Sequence, residues 1–325
     1  MTDATHTPAA TGTRKGLGTG VWAIIGIAAL CVAPFVLYPV FVAKVLCFAL
    51  FAAAFNLLLG YAGLLSFGHA AFFGFAAYVS AHAGKEWGLT PEVGILLGTL
   101  TAMGLGTVVG LLAIRRQGIY FAMVTLALAQ MVFFVCLQAP FTHGEDGIQG
   151  VPRGNLFGVI SLESNMALYY FVLAIFLIGV FAVWRTVHSP FGEVLRSIRE
   201  NEPRAISLGY DADKYKLLAF IISATLAGLA GATKVLVFQL ASLTDVAWQM
   251  SGEVVLMTIL GGMGTMLGPL VGAAVIVSLQ NYLAQIGSMT LVVQGVVFVI
   301  CVLAFRRGIV GEALEWNRRR KARGK

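Results

Sequence analysis

Histidines and carboxylates are the side chains best suited to move protons or hold metals, and in this sequence they do not assemble into a reacting set. The five His are His6, His69, His82, His143 and His188. None belongs to an HExxH pair or stands at i, i+4 from another ligand type, so no metal site follows. GxSxG is absent, and no nucleophilic triad can be built. GxxxxGK[ST] is absent too, so the chain does not bind ATP through a phosphate loop. No catalytic residue and no cofactor are expected. Any energy-driven step would draw on a partner or an ion gradient. Two places set polar groups inside apolar sequence: the glycine-rich stretch Ser66, Phe67, Gly68 and His69, and Glu253 at the start of another apolar run.

The elements that hold these residues follow from composition. Of 325 residues, 58% are hydrophobic and 11% charged, with a mean hydropathy of +0.86. An ordinary soluble domain is about 25% charged. A soluble fold of this length cannot bury so much apolar surface and still cover itself with polar groups, which excludes a soluble enzyme. The net charge of +7 does not suggest nucleic acid, because the basic residues sit between apolar segments. A bilayer core is about 30 Å thick and takes about 20 helical residues to cross. The expected fold is all-α: a polytopic integral membrane helical bundle of about ten segments (8–10). They fall near 21–38, 40–59, 61–83, 92–114, 118–138, 166–184, 217–238, 251–263, 266–286 and 289–306. The eighth is short and glycine-rich, and is read as broken or re-entrant if it does not cross. Cys31, Cys47, Cys136 and Cys301 lie in apolar stretches without CxxC spacing and are read as small core residues.

With both termini cytoplasmic, 18 of the 22 Lys and Arg fall on the cytoplasmic side, which closes the topology at both ends. Residues 1–19 read as a disordered cytoplasmic arm, 20–310 as the membrane domain and 311–325 as a basic cytoplasmic tail. Lys234, about 7 Å from its helix end, is expected to snorkel to the surface. Small residues recur every four positions at Gly94, Gly98, Ala102, Gly106 and Gly110, at Ala224, Gly228 and Ala232, and at Ala70 and Gly74. This spacing lets helix backbones approach closely, either as plain packing or as a moving interface. Gly60, Gly63 and Gly68 are weakly echoed by Gly261, Gly264 and Gly268.

Two loops are long. The external one, 139–165, is glycine-rich. The internal one, 185–216, holds 11 of the 37 charged residues. In it Phe191, Val194, Leu195 and Ile198 share one helical face, with Glu193, Arg196 and Arg199 elsewhere. Pro203 then opens a second short helix capped by Asn201 or Glu202, and Gly209 follows its end. Such a unit suits docking into a cleft on a soluble subunit; a solvated charged loop is the other reading.

At this loop the sequence resembles a known family. SPFGEVLRSIRENEPRAISLGYDADKYKLLAFIISATLAGLAGA is similar to the signature segment of LivM-type permeases of branched-chain amino acid ABC importers. NLLLGYAGLLSFGHAAFFGFAAY (56–78), GIYFAMVTLALAQM (118–131), GEDGIQGVP (144–152) and SGEVVLMTILGGMGTMLGPLVGA (251–273) agree in order, over about residues 40–310. The resemblance implies a permease in a bacterial inner membrane that pairs with a second, homologous permease. Two ABC ATPase subunits would supply ATP hydrolysis, and a periplasmic substrate-binding protein would deliver the substrate. It also implies that Glu200, Glu202, Arg204, Ala205 and Gly209 form the ATPase-coupling element, with Glu200 and Glu202 facing positive groups and Arg204 an acidic one. Relatives assigned to urea, amides and other small metabolites leave the substrate open. A zwitterionic amino acid needs donors and acceptors, which Ser66 and His69 offer; the competing reading is a buried His satisfied by a backbone carbonyl. Glu253 is either a lipid-interface cap or an acidic group on the path. The external loop either receives the binding protein or is a solvated connection. A self-sufficient secondary transporter is the rival class. It would need ionisable residues paired at mid-membrane, which the sequence hardly shows.

Overall fold

The structure, a computed structural model, describes residues 17–156, 158, 160–283, 292–293, 295–296, 299 and 308–312. Its helices are α1 (Leu17–Val36), α2 (Pro39–Asn56), α3 (His69–Lys85), α4 (Pro91–Ala113), α5 (Ile119–Gln138), α6 (Asn165–Val187), α7 (Pro190–Glu200), α8 (Glu202–Ser207), α9 (Ala212–Phe238), α10 (Trp248–Gly261) and α11 (Gly268–Leu283). Among the described residues five helical stretches are long and apolar enough to cross a membrane: Pro39–Ala62, Pro91–Ala113, Ile119–Gln138, Asn165–Val187 and Ala212–Phe238; Gly26–Val36 and Gly268–Leu283 are shorter apolar helices. The molecule is an all-α polytopic membrane protein, and the first nine expected segments each coincide with a helix. The tenth, 289–306, lies largely outside the described residues. So do Cys301, the tail beyond 312 and the arm up to 16; at the arm's end the first helix begins at Leu17, three residues before the expected boundary.

Proline sets several helix starts, because its missing N–H costs nothing in a first turn. Pro39, Pro91 and Pro190 do this for α2, α4 and α7. Pro34 is different, since it lies inside α1 and cannot bond the carbonyl four residues back. That carbonyl is Leu30 O, and the Tyr169 hydroxyl of α6 donates to it at 2.6 Å. The Tyr170 hydroxyl donates to the next, Cys31 O, at 3.2 Å.

The interior is built around α2, whose residues from Leu46 to Asn56 are buried, as are Leu57 and Leu58 that follow it. It packs between α6, α9, α10 and α11. Beside it, α3, α4 and α9 meet through small residues, and the two stripes seen in the sequence face each other in antiparallel register. A side chain added at Gly98 would strike Ala232, one at Gly106 would strike Ala224, and one at Gly228 would strike Ala102. Gly231 lies against the backbone of Phe73. In lipid, where apolar side chains gain nothing by leaving the solvent, such backbone approach supplies the packing.

The third expected segment is corrected at its start. Residues Leu57–Ala62 continue α2 as a π-turn, which ends at Gly63 with φ +73°. Residues 63–68 are irregular, and only at His69 does α3 begin. The short eighth segment is α10, whose 14 residues span about 21 Å. It turns through Gly262 (φ 115°) and Gly264 (φ 76°) into α11.

The two ends of the bundle differ. One carries α7, α8 and both glycine turns and is the basic end. The other is closed by the 139–165 segment, where Ile148–Gln149 pairs antiparallel with Leu240–Ala241 and Asn155–Leu156 with Ile160–Ser161. Lys85 of α3 reaches across this end to the Gln149 carbonyl at 2.9 Å.

Candidate functional site

At the basic end α7 and α8 form one unit. Ser189 caps α7 by accepting from the Gly192 N–H, and Asn201 caps α8 by accepting from the Arg204 N–H at 3.0 Å. Leu195 and Ile198 are buried, as the face pattern predicted, and Ala205 is buried with Ile198 and Ala212. Asp211 caps α9 through the Lys214 N–H. The Lys214 side chain and backbone hold the Asp211 carboxyl below the usual carboxylate range.

The expected coupling residues separate. Arg204 and Gly209 are exposed, and Gly209 has φ +91°. Glu202 is turned inward: its Oε1 accepts from the buried Lys216 Nζ at 2.5 Å and from Gln117 Nε2 at 3.2 Å. Glu200 lines a cavity of about 380 Å³ with Gly60, Tyr61, Arg196, Arg199 and Gly264. Ile206, Leu208 and Tyr210 form an exposed apolar edge beside Arg204 and Gly209.

Arg196 and Arg199 tie this unit to the membrane domain. Arg196 lies over the Tyr61 ring at 5.4 Å and bonds Glu193 at 3.1 Å. Arg199 donates to the Gly60 carbonyl, its stem would meet any side chain at Gly63, and it borders Gly264. Asn56 completes the junction, accepting from the Gly264 N–H and donating to the Thr265 carbonyl, both at 2.9 Å. The two glycine sets that echo each other in sequence are therefore joined in space. An unpaired Asn ahead of the first set was the signal that could have found this junction.

Ser66, Phe67, Gly68 and His69 lie together but in solid packing. Ser66 Oγ accepts from the Gly68 N–H at 3.2 Å, and the Phe67 N–H donates to Thr125 Oγ1 at 3.3 Å. His69 is fully buried, edge-on to Phe55, Phe72 and Phe220. Its Nε2 meets Ser223 Oγ at 2.8 Å. Ser223 spends its own proton on the Ala54 carbonyl at 2.5 Å, so Nε2 is the protonated nitrogen and the buried Nδ1 has no hydrogen-bond partner. The His is thus bonded through one ring nitrogen, to a hydroxyl and not to a backbone carbonyl.

Toward the other end, Glu253 is held by Gln280 Nε2 at 2.9 Å in the second turn of α10. Lys234 corrects the sequence reading. It does not snorkel; it is buried and bonds both oxygens of Asp245, at 2.5 and 2.6 Å. Asp245 in turn accepts from the Ser242 N–H and hydroxyl. A buried ammonium needs a counter-charge; the Ser242-x-x-Asp245 spacing marks the capped turn that supplies it but not the pairing. Among the described residues no group of three metal-ligating side chains occurs.

The sequence profile of the branched-chain amino acid transport system permease component matches residues 40–302. The high-affinity branched-chain amino acid transport system permease protein LivM of Salmonella typhimurium is 26% identical over 278 residues, covering 78% of this chain and 65% of the relative. LivM of Escherichia coli gives the same figures. The ribose import permease protein RbsC of Bacillus subtilis is 29% identical over 239 residues, covering 68% of this chain and 70% of the relative. The chain thus spans about 65% of the length of the two LivM relatives. No solved structure gives a significant match.

Proposed function

The chain belongs to the branched-chain amino acid transport permease family, and from that premise we propose that it is the membrane subunit of an ATP-driven importer of leucine, isoleucine and valine. The sequence has no phosphate loop, so hydrolysis would sit on two ABC ATPase subunits at the basic end, which would be cytoplasmic by its Lys and Arg excess. A second homologous permease would complete the membrane part, and a periplasmic binding protein would deliver substrate to the opposite end.

The observation that carries this reading is the two-sided build of α7 and α8. One side exposes Ile206, Leu208 and Tyr210 beside Arg204, an apolar edge with a charged rim suited to a cleft on a soluble partner. The other side is fixed to the bundle by Ala205, by Glu202–Lys216 and by Arg199 at the glycine junction. A push on α8 would reach Gly60 and Gly264 through Arg199 and open or close the mouth they line. Glu202 would then position α8 from within, leaving Arg204 as the coupling charge that faces outward and Glu200 at the mouth of the cavity it lines.

The test is a tagged pull-down of the chain in mild detergent, read by mass spectrometry. Recovery of a P-loop ATPase and a second permease supports the importer. Repeated recovery of the chain alone, still moving substrate in ATP-free vesicles, overturns it. The similarity to a ribose permease favours a second cargo class for the same machine, so uptake assays should compare leucine with ribose and urea.

A further inference from the structure

Four ionisable side chains gather at one depth near the end opposite α7 and α8. Lys44 lies five residues inside α2, Lys234 four residues before the end of α9, and Glu253 five residues inside α10. At 1.5 Å per residue each is about 6–8 Å below its helix end. Asp245 joins them from the connection between α9 and α10, and Gln280 reaches in from α11. The Lys44 and Lys234 ammoniums stand 5.4 and 5.2 Å from the centre of one ring, Phe238.

The two halves of this layer are not alike. Lys234 and Asp245 neutralise each other in a closed, buried pair. Lys44 and Glu253 are half-buried on two helices that pack together, α2 and α10, yet among the described residues no ion pair joins them. Charges at this depth are costly and are kept in membrane proteins mainly where they act. A cation and an anion at one depth on packed helices, unjoined, match the carboxylate and ammonium of an α-amino acid zwitterion. The Phe238 face adds an apolar wall.

Resting on the importer reading above, we propose that Lys44 and Glu253 form a substrate site for an α-amino acid in the outer third of the membrane, Lys44 taking the carboxylate and Glu253 the ammonium. Gln280 positions Glu253, and the Lys234–Asp245 pair fixes Phe238 at the end of α9. The site places the transport path along α2, α10 and α11. The same elements end at the Asn56, Gly60 and Gly264 junction, so site and inner mouth lie on one line. Ser66 and His69 lie beside it in solid packing against α2, α5 and α9.

The test uses the assembly captured through this chain, reconstituted in proteoliposomes, with a diazirine analogue of leucine that keeps both charged groups. Photolysis of the wild-type assembly is expected to label peptides covering residues 41–48 or 249–257. Lys44→Met and Glu253→Gln should each lower leucine uptake and labelling at least fivefold, and Lys44→Arg should restore most of both. Leucine uptake with labelling confined to other peptides overturns the site, as does less than fivefold loss in both charge-removing variants. Wild-type assembly that takes up no leucine overturns the importer reading itself, and the site falls with it. Labelling of the wild type needs no variant to fold.

Discussion

Asp245 is the residue whose loss should be felt most. Replacing it with Asn leaves the Lys234 ammonium buried without a counter-charge. Removing one partner of such a pair costs about 3–5 kcal/mol. We expect Asp245→Asn to lower the thermal midpoint of the detergent-solubilised chain by several degrees. The double variant Lys234→Met with Asp245→Asn should recover most of the loss, since no charge is then stranded. Asn56 makes a second residue-scale prediction. Asn56→Ala strands the Gly264 N–H and the Thr265 carbonyl, each worth about 1–3 kcal/mol when left unsatisfied, and Asn56→Asp returns only the acceptor. A thermal midpoint below that of the wild type for both variants tests the geometry. Lys234 was misread in the sequence because distance from a helix end was treated as access to water. Nothing in the Lys234 segment itself reveals that the next turn folds a carboxylate back onto it.

At the scale of elements, the helix pairs and the coupling unit make separate demands. In α4 and α9 the small residues are in register, Gly98 to Ala232, Ala102 to Gly228, Gly106 to Ala224. Gly228→Leu forces these backbones apart and should cost about 1–3 kcal/mol or more, seen as a lower thermal midpoint. The same change at Gly104, where an added side chain meets nothing, should be near neutral. For α8, Gly209 at φ +91° ends the helix with open space around it. A β-branched residue is strained there by backbone alone. Gly209→Val should uncouple ATP hydrolysis from uptake with little loss of membrane insertion, checked by assaying both in one preparation; normal uptake would count against a coupling role. These elements were legible because their signals are local: four-residue spacing, Asn201 and Pro203 at a start, Gly209 at an end. The start of the third segment was not, because apolar sequence runs unbroken through the π-turn and only the positive φ at Gly63 stops it.

Across the whole molecule, the arrangement reads as a line between two ends. The polar layer of Lys44, Glu253 and Gln280 lies near one end, and the glycine junction gripped by Arg199 lies at the other, both on α2 and the α10–α11 hairpin. Composition and the Lys and Arg count made the bundle and its two faces legible. They could not show which segments form the line, because contacts between helices far apart in sequence decide that: Asn56 bonds residues more than 200 positions away. The glycine break at Ser66–His69 looked like a path in sequence and is packed solid in the fold, since Phe55, Phe72 and Phe220 close around His69. The measurement that bears most directly on the importer proposal is leucine uptake by the tag-captured assembly in proteoliposomes, with ATP supplied on the side of α7 and α8. The account predicts accumulation with ATP and none with a non-hydrolysable analogue. Equal uptake without ATP, carried by this chain alone, would contradict it.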